Sequence, residues 1–180
     1  MGRPKLLLRW RGRRLIDHVL DAWTTSRVDQ VFVVVRKDDH ELADICRAHP
    51  VRLVRPEIDP IDMKQSVQAA LRVIESCFDP VASDRCLIAP ADLPGLSAEL
   101  INRLLAPDPP CDQVVVPHFG DKQGHPVRLP WKIARQIFQL AENEGVDRIV
   151  DRHPKCIVPF SAHDYINDVD TPEEFRALLD

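Results

Sequence analysis

Leu15-Ile16-Asp17-His18-Val19-Leu20-Asp21-Ala22-Trp23, followed by Val31-Phe32-Val33-Val34-Val35, decides the fold class. In the first stretch apolar residues recur at helical spacing, and the second is a short β-branched run of the kind that a parallel sheet buries on both faces. Helix then strand is the pattern, and it repeats. Glu41 to Ala48 reads as a short helix, Val51 to Val54 as a strand, and Met63 to Cys77 as a longer helix with Val67, Ala70, Leu71 and Ile74 on one face.

Further along, Cys86 to Ala89 reads as a strand that ends in Pro90-Ala91-Asp92. Ser97 is a good N-cap for a helix over 98–105, with Leu100, Ile101, Leu104 and Leu105 on its apolar side. Val114-Val115-Val116 is the next buried strand. Phe119-Gly120-Asp121-Lys122-Gln123-Gly124 has hairpin-loop chemistry, with Pro126-Val127-Arg128-Leu129 as the returning strand. Helices follow over Trp131 to Leu140 and near 146–152. Cys156 to Pro159 and Tyr165 to Asp168 read as late strands, and Thr171-Pro172-Glu173-Glu174 opens a last helix. This order predicts a three-layer α/β/α architecture whose mostly parallel sheet is mixed by one hairpin.

The chain has 180 residues, enough for one domain with a substantial core and too few for two ordinary ones, so residues 1–180 are taken as a single domain. Hydrophobic residues make up 44% and charged residues 29%, a globular balance, and no apolar run approaches the ~18 residues of a membrane span. The charged N-terminus lacks the apolar core of a secretory signal, so the expected setting is cytoplasmic, without a membrane partner. Net charge is -4 and the isoelectric point is near 6.0, which argues against nonspecific nucleic-acid binding. The five cysteines are scattered, with no C-x-x-C pair, and read as reduced packing residues.

In open α/β sheets ligands lie beyond the carboxyl ends of the strands, so the polar residues after each buried run carry the chemical interest. Asp92 is the clearest: a carboxylate held there can take Mg²⁺ through a hard oxygen, although a turn or cap would equally use an aspartate. Asp168 and Asp170 precede the last helix, whose cap Thr171 already supplies, and either can share a metal with Asp92. Gly124-His125-Pro126 forms a third element, where glycine admits close substrate approach and His125 is a base or ligand candidate; hairpin geometry alone would also explain it. At the other end, Lys5 in Gly2-Arg3-Pro4-Lys5 is placed to meet a triphosphate, against the alternative of a solvated basic N-terminus from Arg3 to Arg14. Ser66 and Gln65, at the start of the long helix, suit a base or ribose. No nucleophilic triad, P-loop or G-x-G-x-x-G is present.

Assembled in order, these segments resemble the nucleotidyltransferases that activate the molybdenum cofactor, the cytidylyltransferase and guanylyltransferase group of NTP transferases. Met1-Gly2-Arg3-Pro4-Lys5-Leu6-Leu7 is similar to the family's R-M-G-x-x-K-L-L, and Asp62-Met63-Lys64-Gln65-Ser66-Val67-Gln68-Ala69-Ala70-Leu71 to its G-M-x-x-S-[LVI]-x-x-[GA]-[LI]. Asp92-Leu93-Pro94, Gly124-His125-Pro126 and Asp168-Val169-Asp170-Thr171-Pro172-Glu173 resemble its D-x-P, G-x-P and D-[IV]-D-T-P-E segments. The resemblance implies a Rossmann-like nucleotidyltransferase fold and a Mg²⁺-dependent transfer of a nucleotide from a nucleoside triphosphate to a small phosphorylated or molybdopterin-type acceptor. By it, Lys5 and Arg3 meet the phosphates, Asp92 holds Mg²⁺ with Asp168 or Asp170, Ser66 binds the nucleoside, and Gly124, His125 and Pro126 line the acceptor pocket.

The family's first strand and glycine-rich loop would lie before Met1, and Asp62 stands where the family has glycine. The expectation is therefore a domain shortened at its N-terminus, with an empty central strand position and weak NTP binding. Either a start codon assigned at an internal methionine or pairing with another chain, as in a homo-oligomer, would account for it. Two other functions remain open at this point. One is a non-catalytic nucleotide- or partner-binding domain; the other is a transferase acting on a sugar phosphate.

Overall fold

Successive side chains of a strand leave opposite faces of a sheet, so the burial along one central strand shows how many layers cover it. In the computed structural model, which describes residues 5–110 and 112–161, that strand is Val114–Phe119. Val114 and Val116 enter one apolar cluster, while Val115 and Phe119 enter another. The three valines are fully buried, so helices cover both faces.

In chain order, a 3₁₀ turn at Lys5–Leu7 leads to a small hairpin of β1 (Arg9–Trp10) and β2 (Arg13–Arg14), then α1 (Leu15–Thr24) and β3 (Phe32–Val34). Next come α2 (His40–Arg47), β4 (Arg52–Val54), α3 (Met63–Phe78), β5 (Arg85–Ile88), α4 (Ala98–Leu105) and β6 (Val114–Phe119). The chain continues through β7 (Lys122–Gln123), β8 (Val127–Pro130), α5 (Trp131–Ala134), a 3₁₀ segment Arg135–Gln139, α6 (Asp147–Arg152) and β9 (Lys155–Phe160).

The strands form a mixed sheet in the order β5-β8-β6-β7, with β9 pairing β6. β6 and β9 run parallel and β8 runs antiparallel to both β5 and β6, so β5, β6 and β9 share one direction. On one face lie α3, α5, the 3₁₀ segment and α6, with Leu71, Ile133, Ile137 and Ile149 fully or almost fully buried. On the other lie α1 and α4, through Val19, Ala22, Ile101 and Leu104. These are the expected three layers.

Three expectations are corrected. First, among the described residues β3 and β4 pair in parallel with each other in a two-stranded sheet separate from the larger one, rather than joining a single sheet. Two helices span the separation. α1 turns Ile16 and Leu20 toward α2 and the β3–β4 cluster and Val19 and Ala22 toward α4; α3 packs on β3, on β4 and on the 3₁₀ segment. Second, the helix over Trp131 to Leu140 tightens to 3₁₀ geometry from Arg135 onward. Third, Cys77 is exposed and so is no packing residue, whereas Cys46 is buried and Cys86 and Cys156 are half-buried. Tyr165 to Asp168 and the last helix lie outside the described residues.

Local signals account for several element ends. Ser97 caps α4 by accepting from the amide of Leu100 at 3.1 Å, and Asp62 caps α3 by accepting from the amide of Gln65 at 2.7 Å. α3 stops at Asp79, whose φ of 46° lies in the left-handed region that aspartate tolerates better than most residues.

Candidate active site

Lys5 and Asp92, 87 positions apart, meet in an ion pair with Nζ 2.5 Å from Oδ2. Each is fixed by its neighbours. Leu6 and Leu7 pack against the α1–α2 cluster and hold the 3₁₀ turn down, while buried Leu93 and Leu96 anchor the segment after Asp92. The side chains are only 20% and 25% exposed, so the pair is strengthened by partial removal from water. Cation and carboxylate thus stand together just beyond the carboxyl end of β5.

Among the described residues, Arg11, Arg13 and Arg14 turn to other partners. Arg14 binds Asp17 through two nitrogens, Arg13 pairs with Asp21 at 2.7 Å, and Arg11 lies over the Trp10 ring. The run is therefore neither simply solvated nor aimed as a whole at a phosphate. Burial works against the charged form of Asp17, yet the hydrogen bonds and charge of Arg14, with His49 adding, hold its pKa below the ordinary aspartate value.

The ladder between β5 and β8 ends with Ile88 opposite Val127, so the segment Ala89 to Asp92 and the segment Gly124 to Pro126 leave the sheet at the same end. Here the returning strand is irregular. Gly124 bonds to the carbonyl of Pro117, whereas Arg128 lies opposite Val115, so the return carries two more residues over this interval than β6 does. A bulge of this kind re-aims side chains. Gly124 and Pro126 are buried within it, the His125–Pro126 peptide is cis, and His125 lines a cavity of about 410 Å³.

That cavity is walled by Asp62, Met63 and Lys64 at the start of α3, by Ile88 and Val127, by Gln123 and His125, and by the loop Glu142–Asp147 leading into α6. The polar groups at the start of α3 divide differently from expectation. Ser66 Oγ donates to the carbonyl of Asp62 at 3.0 Å and Gln65 Oε1 accepts from the amide of Ile61, so both serve the helix start and neither lines the cavity. Lys64, which sequence reasoning passed over, does line it and is only 8% exposed. Its signal was a lysine in the first turn of an otherwise amphipathic helix, where a cation is disfavoured.

Arg3, Asp168 and Asp170 lie outside the described residues. Among the described residues no group of three or more His, Cys, Asp or Glu side chains could hold a metal by itself. Asp92 is a hard, part-exposed oxygen donor that already binds a cation, which fits a divalent ion held jointly by one carboxylate and substrate phosphates rather than in an all-protein cage.

This three-layer α/β frame, with a lysine and an aspartate together beyond one strand's carboxyl end and a cavity walled by a bulge and a helix start, is that of a nucleotidyltransferase, as its family shows. The chain belongs to the family of MobA-like NTP transferase domains, whose pattern matches residues 1–156. It is 27% identical over 183 residues to a probable molybdenum cofactor guanylyltransferase of Bacillus cereus (strain AH820), covering 97% of this chain and 86% of that one. The shared fold is seen in a homologue of Mycobacterium tuberculosis Rv0371c from Mycobacterium sp. strain JC1, with a TM-score of 0.79 at 23% identity over 99% of this chain and 88% of that chain. It is seen again in Rv0371c of M. tuberculosis H37Rv solved as a complex with manganese, with a TM-score of 0.73 at 24% identity over 99% and 92% of the two chains. No helix among the described residues is long and apolar enough to cross a membrane.

Proposed function

We propose that this protein transfers GMP from GTP to a molybdopterin-type acceptor, releasing pyrophosphate. The observation that carries the reading is the meeting of Lys5 and Asp92 beyond β5, at the end of the sheet where the segment carrying His125 also leaves it. Lys5 would bind the triphosphate and balance charge as it builds on the leaving pyrophosphate, with Arg3 assisting. Asp92, with Asp168 or Asp170, would hold Mg²⁺, which when bound supplies Lewis-acid neutralisation of the phosphate oxygens. The cavity would orient the acceptor so that its phosphate oxygen attacks the α-phosphorus in line, a step that needs positioning rather than a protein nucleophile. The guanylyltransferase reading is supported by the Bacillus cereus relative.

The test is a set of incubations of the purified chain with each of the four nucleoside triphosphates, Mg²⁺ and molybdopterin, followed by pyrophosphate release and mass spectrometry of the product. A dinucleotide formed with GTP in preference to CTP is expected. Pyrophosphate release that ignores molybdopterin, or preference for CTP, would reject the proposal in its acceptor or its base respectively.

A further inference from the structure

Lys64 sits where electrostatics disfavours a cation: in the first turn of α3, at the positive end of the helix dipole, and almost fully buried. A buried ammonium is costly unless its protons are accepted. Nζ donates to the carbonyls of Ala141 and Glu142, both at 2.7 Å. These acceptors are backbone groups 77 and 78 positions away, in the loop that forms another wall of the same cavity.

Other hydrogen bonds of the loop are internal or run to α6, and Val146 is buried in the apolar core. The amide of Glu144 donates to the carbonyl of Ala141 at 3.1 Å, the Glu144 carboxylate accepts from the amide of Ala141 at 3.0 Å, and Arg152 pairs with that carboxylate. Lys64 ties the beginning of the loop to the first turn of the helix by hydrogen bonds. One turn later Gln68 donates to the carbonyl of Ile137 at 2.9 Å, and Leu71 is buried in the core beyond, so a single face of α3 follows the chain from Ile137 to Glu142.

We propose that Lys64 is a positioning residue for acceptor recognition, holding the loop Glu142–Asp147 against the start of α3 so that the cavity keeps its shape. With two of its three protons on backbone carbonyls, it acts on the acceptor through the loop. The inference rests on the reading of this cavity as the acceptor pocket.

The test compares the full wild-type chain with Lys64→Met, which keeps the aliphatic stem, and with Lys64→Arg, which keeps the charge. Amide hydrogen exchange over 141–147 should quicken about tenfold in Lys64→Met with β6 unchanged. In the transfer assay with Mg²⁺-GTP and molybdopterin, the KM for molybdopterin should rise about tenfold while kcat and the KM for GTP stay within about twofold. Lys64→Arg should restore both. Unchanged loop exchange, or a fall in kcat at constant KM, would overturn the role. Should Lys64→Met fail to fold, Lys64→Gln is read against the same two outcomes. Should wild type not turn over molybdopterin, the proposed function falls, and the exchange comparison alone decides the positioning role.

Discussion

Lys5 and Asp92 are held together by one short ion pair, and their separate roles can be tested one side chain at a time. Asp92→Asn should abolish metal-dependent pyrophosphate release while leaving the circular dichroism spectrum unchanged; release at the wild-type rate would remove Asp92 from the chemistry. Lys5→Ala should weaken triphosphate binding in calorimetry by about tenfold, the scale of one charge-assisted contact. Because the pair is part-exposed, either change should cost at most about 1 kcal/mol of folding stability. Asp17 gives a separate pH prediction. Its folded pKa lies below the ordinary aspartate value, so its contribution is present above about pH 4 and is lost as pH falls through the lower folded value. Stability measured by urea titration should therefore fall less steeply below pH 4 in Asp17→Asn than in wild type. Asp92 was legible in the sequence because it follows an apolar run and stands between Pro90 and Pro94. Lys64 offered only its unfavourable place in the first turn of a helix, and its acceptors become visible only when the chain 77 residues away is folded against it.

At the level of elements, the helices were the most readable parts, since the spacing of Leu15, Ile16, Val19 and Leu20 and of Leu100, Ile101 and Leu104 fixes which faces are buried. The cap at Ser97 was readable too. Ser97→Ala should cost about 1 kcal/mol and Leu104→Ala, at a fully buried site, about 2–5 kcal/mol, both by chemical denaturation. Equal costs would mean that the α4 core is looser than its burial implies. The opening hairpin was missed. Its turn places Arg11 at φ 49° and Gly12 at φ 80°, a geometry normally announced by Asn-Gly or Asp-Gly, and a run of arginines hides it. The bulge at His125 was equally hidden, because the register of a strand is set by its partners and the sequence shows only the strand.

Across the whole molecule, the separation of β3 and β4 from the larger sheet among the described residues is what sequence could least convey, because strand pairing is long-range: β8 inserts between β5 and β6 although β5 precedes both. Alternating elements predicted the layers correctly, but not which edges meet. Among the described residues β3 pairs only with β4, and the small sheet is joined to the larger one through α1 and α3. Regions with fewer shared contacts open locally at lower free energy. Native-state hydrogen exchange should therefore find β3, β4 and α2 opening together before β6, whose flanks are both packed. Uniform protection over the two sheets would show that the two helices couple them fully.

The two additional residues at Gly124 to Pro126 interrupt only the returning strand, and β8 pairs with β5 in unbroken register from Val127 to Pro130 beyond them. On the proposed reading of the cavity, recognition and scaffold are thus uncoupled at that point. Loops of other lengths could be grafted there, redirecting what the cavity accepts, while the surrounding ribbons keep their alignment.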